Sequence, residues 1–376
     1  MIINEVTPVL SGHRVLVKIG TDDGLVGWGE GSGFLPHAVL GLVEELRPYL
    51  LGEDASRINF LWQEVFRRPF VRGGPITGSA VAAIDLALWD LKGRALDAPV
   101  YQLLGGAARD RVRVYGHVHA DTAEEIAAKA RVMAERGIQV IRYRGFIDTD
   151  KQGVHDHAAG VRQQIEFTEA IRDAVGPDVD LILECHGRYD PAWAVKLIKA
   201  VERFEPLFVE DPIRHEHPDG YRQLRAASSV PLATGERGHS KWELRELIEN
   251  RLVDYLRPDV CWAGGITEMM KIASFAETYL INMVPHNIQG PLGSAATLHA
   301  SMAIPNLTVM EAALYAGREV VEGDIHPWPT VLDGHALPPA GPGLGVTVDE
   351  GALPGPLPPR GGHPRLRALD GSARDW

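Results

Sequence analysis

A chain of 376 residues, 45% hydrophobic and 23% charged, has material for a large core, as two domains or one elaborated barrel. Its net charge of −12 argues against nucleic acid or an anionic membrane as partner, but not against a small acid met through a bound cation. The cysteines number 2, Cys185 and Cys261, and no apolar run reaches membrane-spanning length, so a reduced cytoplasmic setting is expected. Residues 1–10 lack the basic-then-apolar order of a signal peptide.

The chain opens with alternation. Residues 14–19 (RVLVKI), an Asp22-Asp23-Gly24 turn and residues 25–30 (LVGWGE) read as a hairpin. Helical periodicity follows from about Ala38 and again from Ser79 to Arg94, with Gly73-Gly74-Pro75 as a break between. From Arg111 the pattern becomes strand then helix. Strands are expected over 111–118, 139–144, 180–184, 207–210, 231–235, 253–257, 281–285 and 307–311. Helices are expected over 122–136, 161–175, 191–201, 241–249 and 266–278. Eight strands with intervening helices have the size of a (β/α)8 barrel, whereas an open doubly wound sheet lacks its Gly-x-Gly-x-x-Gly turn here. The polar stretch 145–160 is long for a connection and reads as a functional loop. The Pro- and Gly-rich tail from about Pro327 reads as irregular and packed on the rest.

Glu184, Glu210 and Glu236 recur every 26 residues, each closing a short apolar run. Active sites of such barrels form at the C-terminal strand ends, so three glutamates on strands three, four and five of the barrel can converge on one divalent cation. A lone glutamate is commonly a solvated surface group; three at one interval on adjacent strands are not. His286 and Asp259 follow strands seven and six and could form a general-base pair or a structural hydrogen bond. His186, two residues past Glu184, would face the same side as a ligand or general acid. Glu311 ends strand eight and could hydrogen-bond a carboxylate or hydroxyl. Arg142 and Arg144 alternate toward one face of strand two and suit a substrate carboxylate, as does Arg237 beside Glu236. His117 and His119 form a His-x-His on the first strand, similar to metal-dependent amidohydrolases, but later strand ends lack the matching histidines. His155 and His157 form another such pair in the polar loop.

Several motifs together resemble the enolase superfamily in its mandelate racemase subgroup, nearest the sugar-acid dehydratases. They are Arg72-Gly73-Gly74-Pro75, residues 83–93 (AIDLALWDLKG), Glu184-Cys185-His186-Gly187-Arg188, Val209-Glu210-Asp211-Pro212, Gly235-Glu236-Arg237, residues 263–268 (AGGITE) and Pro285-His286. The resemblance implies an α/β fold: a TIM-like (β/α)8 barrel over 111–326, an α+β capping domain over 1–110, and a tail over 327–376 that completes the cap. It also implies Mg²⁺ on Glu184, Glu210 and Glu236, an Asp259–His286 base dyad, His186 as acid and Glu311 as an enolate-stabilising group. The implied reaction takes the C2 proton of an aldonate or aldarate, forms a metal-stabilised enediolate and expels the 3-hydroxyl, giving a 2-keto-3-deoxy acid. Alternatives are an epimerase, racemase or cycloisomerase using the same enolate, or a silent relative. A homo-oligomer, from dimer to octamer, is expected. Two departures stand out: Glu184 replaces a more usual Asp, and Arg142 and Arg144 stand where a catalytic Lys is common, which disfavours a Lys-based racemase.

Overall fold

Three antiparallel strands open the chain: β1 (Ile3–Ser11), β2 (Arg14–Thr21) and β3 (Val26–Gly31). The last two are the expected hairpin. β1 escaped sequence reading because its side chains are mostly half-buried and show no clear period of two. The computed structural model describes residues 1–70, 72–145, 153–317, 323–358 and 365–374. α1 (Pro36–Leu46) and α2 (Ile58–Arg67) flank α3 (Gly74–Ala95), which lies along β3. α3 begins at Gly74 rather than Ser79, because the Gly73-Gly74-Pro75 break also starts the helix: Gly73 takes φ 93° and Pro75 stands in the first turn. α2 was not foreseen. A short α4 (Val100–Leu103) leads out of this unit.

The barrel strands are β4 (Val112–Val118), β5 (Val140–Tyr143), β6 (Asp180–Glu184), β7 (Phe208–Glu210), β8 (Leu232–Thr234), β9 (Tyr255–Leu256), β10 (Asn282–Met283) and β11 (Met310–Glu311). Each pairs in parallel with its neighbour from β4 to β10, and β11 pairs with β4. The ring closes through a parallel bridge between Met283 and Leu307. The connecting helices are α5 (Ala123–Glu135), α6 (His157–Val175), α7 (Pro191–Val201), α8 (Pro218–Ala227), α9 (Lys241–Glu249), α10 (Gly265–Thr278) and α11 (Pro291–Ala303). α8 and α11 were missed: the first is short, with its apolar face reduced to Tyr221 and Leu224, and the second is buried all round and has no polar face to mark a stripe. Residues 157–160, read as loop, begin α6, where Asp156 accepts hydrogen bonds from the backbone of Ala158 and Ala159. Residues 146–152 of that loop lie outside the described residues. Tyr115, Val140, Ile182, Phe208 and Val284 fill the barrel interior, below the charged side chains at the strand ends.

The tail contacts both units. Gly343 bridges to Pro99, Pro356 to Gly12, and Leu344 N donates to Asp90 at 2.8 Å, all on the N-terminal side. β12 (Ile325–His326), β13 (Val331–Leu332), β14 (His335–Ala336) and β15 (Thr347–Val348) are short, and β14 pairs with barrel strand β4.

The two units meet along α3 and α10. Gly78 lies against the Trp262 carbonyl so closely that a Cβ there would collide with it. Asp85 accepts from Thr267 N at 3.0 Å across the same seam. Burial pushes the Asp85 carboxyl up to about 7, against the hydrogen bonds from Thr267 and the charge of Lys271. An acid with a raised folded-state pKa favours folding most below its unfolded pKa and loses that contribution as pH rises through 7. Asp85→Asn keeps an acceptor for Thr267 and removes the ionisation. It is expected to raise the urea midpoint at pH 8 and leave it nearly unchanged at pH 4. Equal destabilisation at both pH values would show instead that the ionised carboxylate is favourable in the fold.

Candidate active site

Glu184 and Glu210 are register partners at the ends of β6 and β7. Glu236 stands just past β8, delivered by Gly235 at φ 130°, where a side chain would be strained and would press on Arg257 N. The three carboxylates are buried, and one oxygen from each lies within 4.8 Å of the others. Glu236 Oε2 is buried with no hydrogen-bond partner. An all-oxygen donor set with an orphaned buried carboxylate oxygen fits a hard divalent cation. Among the described residues no other group of histidine, cysteine and carboxylate atoms is clustered this tightly. His117 and His119 are therefore not the basis of an amidohydrolase centre: His117 Nε2 lies 2.6 Å from Glu311 Oε1, and His119 is exposed.

Two arginines enter the carboxylate ring. Arg142, on β5, pairs through Nη2 with Glu184 Oε2 and lies 3.3 Å from Glu210 Oε1. The guanidinium expected to meet a substrate carboxylate is thus held by two carboxylates of the protein. Arg257 is fully buried, 2.7 Å from Glu210 Oε1, 3.1 Å from Glu311 Oε2 and 3.8 Å from Glu236 Oε2, and it donates to the Tyr115 hydroxyl. Sequence reading passed over Arg257. Its only local signal was its place at a strand end, next to Pro258-Asp259.

Asp259 and His286 are brought into contact. They are bridged backbone partners, and His286 Nδ1 lies 2.6 Å from Asp259 Oδ2. Gln289 Nε2 at 2.8 Å and Cys261 N at 2.7 Å donate to the same carboxylate and fix its orientation. His286 Nε2 then faces Glu236 at 3.7 Å and Glu311 at 4.0 Å. Burial opposes a charge on this ring, but Glu311, Glu236 and Asp259 outweigh it and raise its pKa to about 9. The Trp262 ring packs on the imidazole with centroids 4.8 Å apart.

His186 reaches the site for a different reason from strand alternation. The chain turns after Glu184, His186 takes φ 52°, and its backbone N–H donates to Glu184 Oε1. Its Nε2 lies 3.1 Å from Arg142 Nη2. Burial, then Arg142, Arg144, Arg188 and Arg237, holds this imidazole well below its ordinary pKa. Arg237 donates to the His186 carbonyl at 3.2 Å. Glu311 takes the Asn287 backbone N–H at 3.0 Å; burial opposes its ionisation, but His286 and Arg257 hold it well below the usual carboxylate range. His155 and His157 are in contact with each other, and His157 Nε2 lies 3.0 Å from Asp190 at the start of α7.

A cavity of about 540 Å³ opens between the two units, lined by Phe34, Ile76 and Ser79 on one side and Glu236, Arg237 and Trp262 on the other. Carboxylates at neighbouring strand ends, a His–Asp pair beside them and a cavity between the two units make a site with the donors to hold a divalent cation and a group able to move a proton.

The mandelate racemase/muconate lactonizing enzyme N-terminal domain matches residues 5–105, and the enolase C-terminal domain-like family matches residues 125–352. The D-galactonate dehydratase of Ralstonia nicotianae is 38% identical over 96% of both chains. An enolase from Pantoea ananatis with bound D-gluconate and Mg superposes with a TM-score of 0.90 at 29% identity, over 99% of both chains. An enolase from Agrobacterium radiobacter, bound to sodium and L-malate, superposes with a TM-score of 0.88 at 31% identity over 100% of both chains. The chain belongs to the enolase superfamily, in its mandelate racemase/muconate lactonizing enzyme branch.

Proposed function

We propose that this protein is a hydro-lyase that dehydrates a sugar acid, an aldonate or aldarate, to a 2-keto-3-deoxy acid with Mg²⁺ as cofactor. The observation that carries this reading is the Asp259–His286 pair, 2.6 Å apart, with its second imidazole nitrogen turned to the Glu184, Glu210 and Glu236 cluster. The dehydratase relative and the gluconate-bound neighbour support the substrate class. Mg²⁺, held by the three glutamates, would supply the positive charge that makes a proton alpha to a carboxylate acidic enough to remove.

With a cation offsetting the charge of Glu236, one of the groups that raise its pKa, His286 would be neutral and its Nε2 would take the C2 proton while Asp259 holds Nδ1 and stabilises the imidazolium. His186 gives a proton to the 3-hydroxyl. The C2–H and C3–O bonds break, water leaves, and the C2–C3 double bond of an enol forms, which tautomerises to the keto acid. Burial and the surrounding arginines hold the His186 imidazole below its ordinary pKa, which favours release of a proton from it to the leaving hydroxyl. Arg237, on the cavity wall, positions substrate oxygens, and the half-buried Arg144 adds positive charge beside His186.

Aldonic and aldaric acids screened with Mg²⁺ are expected to release a 2-keto acid for at least one stereoisomer. Metal binding with no reaction across the whole set would reject sugar-acid dehydration. Deuterium uptake at C2 without loss of water would point to epimerisation instead.

A further inference from the structure

We propose that Arg142 is a built-in competitor for the metal, a counter-cation on Glu184 and Glu210 that must leave Glu184 before a divalent ion can bind. This rests on the reading of Glu184, Glu210 and Glu236 as the metal ligands.

Arg142 Nη2 pairs with Glu184 Oε2 and lies 3.3 Å from Glu210 Oε1, and Arg142 Nε is 3.4 Å from Glu210 Oε2. One guanidinium therefore spans two of the three candidate ligands. Both Glu184 oxygens are engaged, Oε2 by Arg142 and Oε1 by the His186 backbone N–H. Glu236 Oε2, by contrast, is an orphan. A cation entering from the Glu236 side meets an oxygen with no hydrogen bond to break, whereas on Glu184 and Glu210 it meets oxygens already engaged, Glu184 Oε2 and both oxygens of Glu210 by Arg142.

The ligand oxygens lie within 4.8 Å of one another, and Mg²⁺ sits about 2.0–2.1 Å from its oxygens. A guanidinium on the same oxygen pair would then be a like charge at contact distance in a desolvated site. Arginine stays charged at every working pH, so the conflict is relieved by movement and not by loss of a proton. Arg142 has nearby polar groups to move toward: Nη1 is 3.4 Å from His117 Nδ1, and Nη2 is 3.1 Å from His186 Nε2. Arg257 plays a different part. It too reaches two candidate ligands, Glu210 Oε1 at 2.7 Å and Glu236 Oε2 at 3.8 Å, but no ion pair joins it to Glu184, and Glu311 and Tyr115 hold it from the barrel side. It remains as the fixed partner while Arg142 exchanges.

The test is calorimetric titration of Mg²⁺, without substrate, into chelator-stripped wild type, Arg142→Met and Arg142→Lys, each checked for fold by circular dichroism. Arg142→Met, shorter and uncharged, is expected to bind Mg²⁺ about 10-fold or more tightly than wild type, about 1.4 kcal/mol. Its unfolding midpoint without metal is expected to fall below wild type and to recover on adding Mg²⁺. Arg142→Lys, which keeps the charge, is expected to bind as wild type does. If wild type binds Mg²⁺ and Arg142→Met binds no more tightly, the competition is overturned while the ligand assignment stands. If Arg142→Lys tightens as much as Arg142→Met, charge is not the cause and the proposal fails. If neither wild type nor variant binds Mg²⁺, the ligand assignment falls and the competition with it. Arg142→Gln replaces Arg142→Met should the latter not fold.

Discussion

His286→Asn is expected to abolish exchange of the substrate C2 proton in D₂O and to lower kcat by roughly 10²–10⁴-fold, with fold and Mg²⁺ affinity retained. Nδ1 of His286 is taken up by Asp259 at 2.6 Å, which leaves Nε2 as the one ring nitrogen able to accept a proton. An amide cannot replace it. The supports of the dyad survive the substitution, because Gln289 and Cys261 hold Asp259 independently of the imidazole. Proton exchange is followed by NMR on any acid that the screen identifies. Exchange at the wild-type rate would remove His286 from the role of base.

The second large effect concerns stability. Arg257→Met should lower the free energy of unfolding by about 3–5 kcal/mol, as expected when one partner of a buried ion network is removed. The guanidinium is wholly buried and lies 2.7 Å from Glu210 and 3.1 Å from Glu311. Burial already pushes the Glu210 carboxyl up to about 8, against the pull of Arg142 and Arg257. Without Arg257, two carboxylates are left to share Arg142 and the histidines. Urea unfolding at pH 7 in the presence of a chelator measures the difference. A loss below about 1 kcal/mol would mean that these carboxylates already take up protons in the fold and that Arg257 is not their main stabiliser.

Much of the catalytic face could be read along the chain, for a geometric reason. In a closed parallel barrel every strand ends at the same rim, so a residue that closes an apolar run has a known position. That places Glu184, Glu210, Glu236, Asp259, His286 and Glu311 from sequence alone, and the structure brings all six to one rim. β1 and α11 were lost for want of a clear period, whereas α2 and α8 carry an amphipathic stripe and were passed over because they are only 10 residues long. Half-buried strands and uniformly buried helices both blur the pattern that marks an element.

The charge partners were a different matter. Arg142 stands on a strand that the sequence located, yet its direction across the barrel, toward Glu184 and Glu210, depends on strands 42 and 68 residues away. Arg257 meets Glu311 over a separation of 54 residues. Local sequence determined which side chains reach the rim, because where an apolar run ends and which way its side chains alternate are local properties. Tertiary structure alone decided which of them neutralise one another, because Coulomb attraction in a dry site depends on distances set only when the last strand closes on the first.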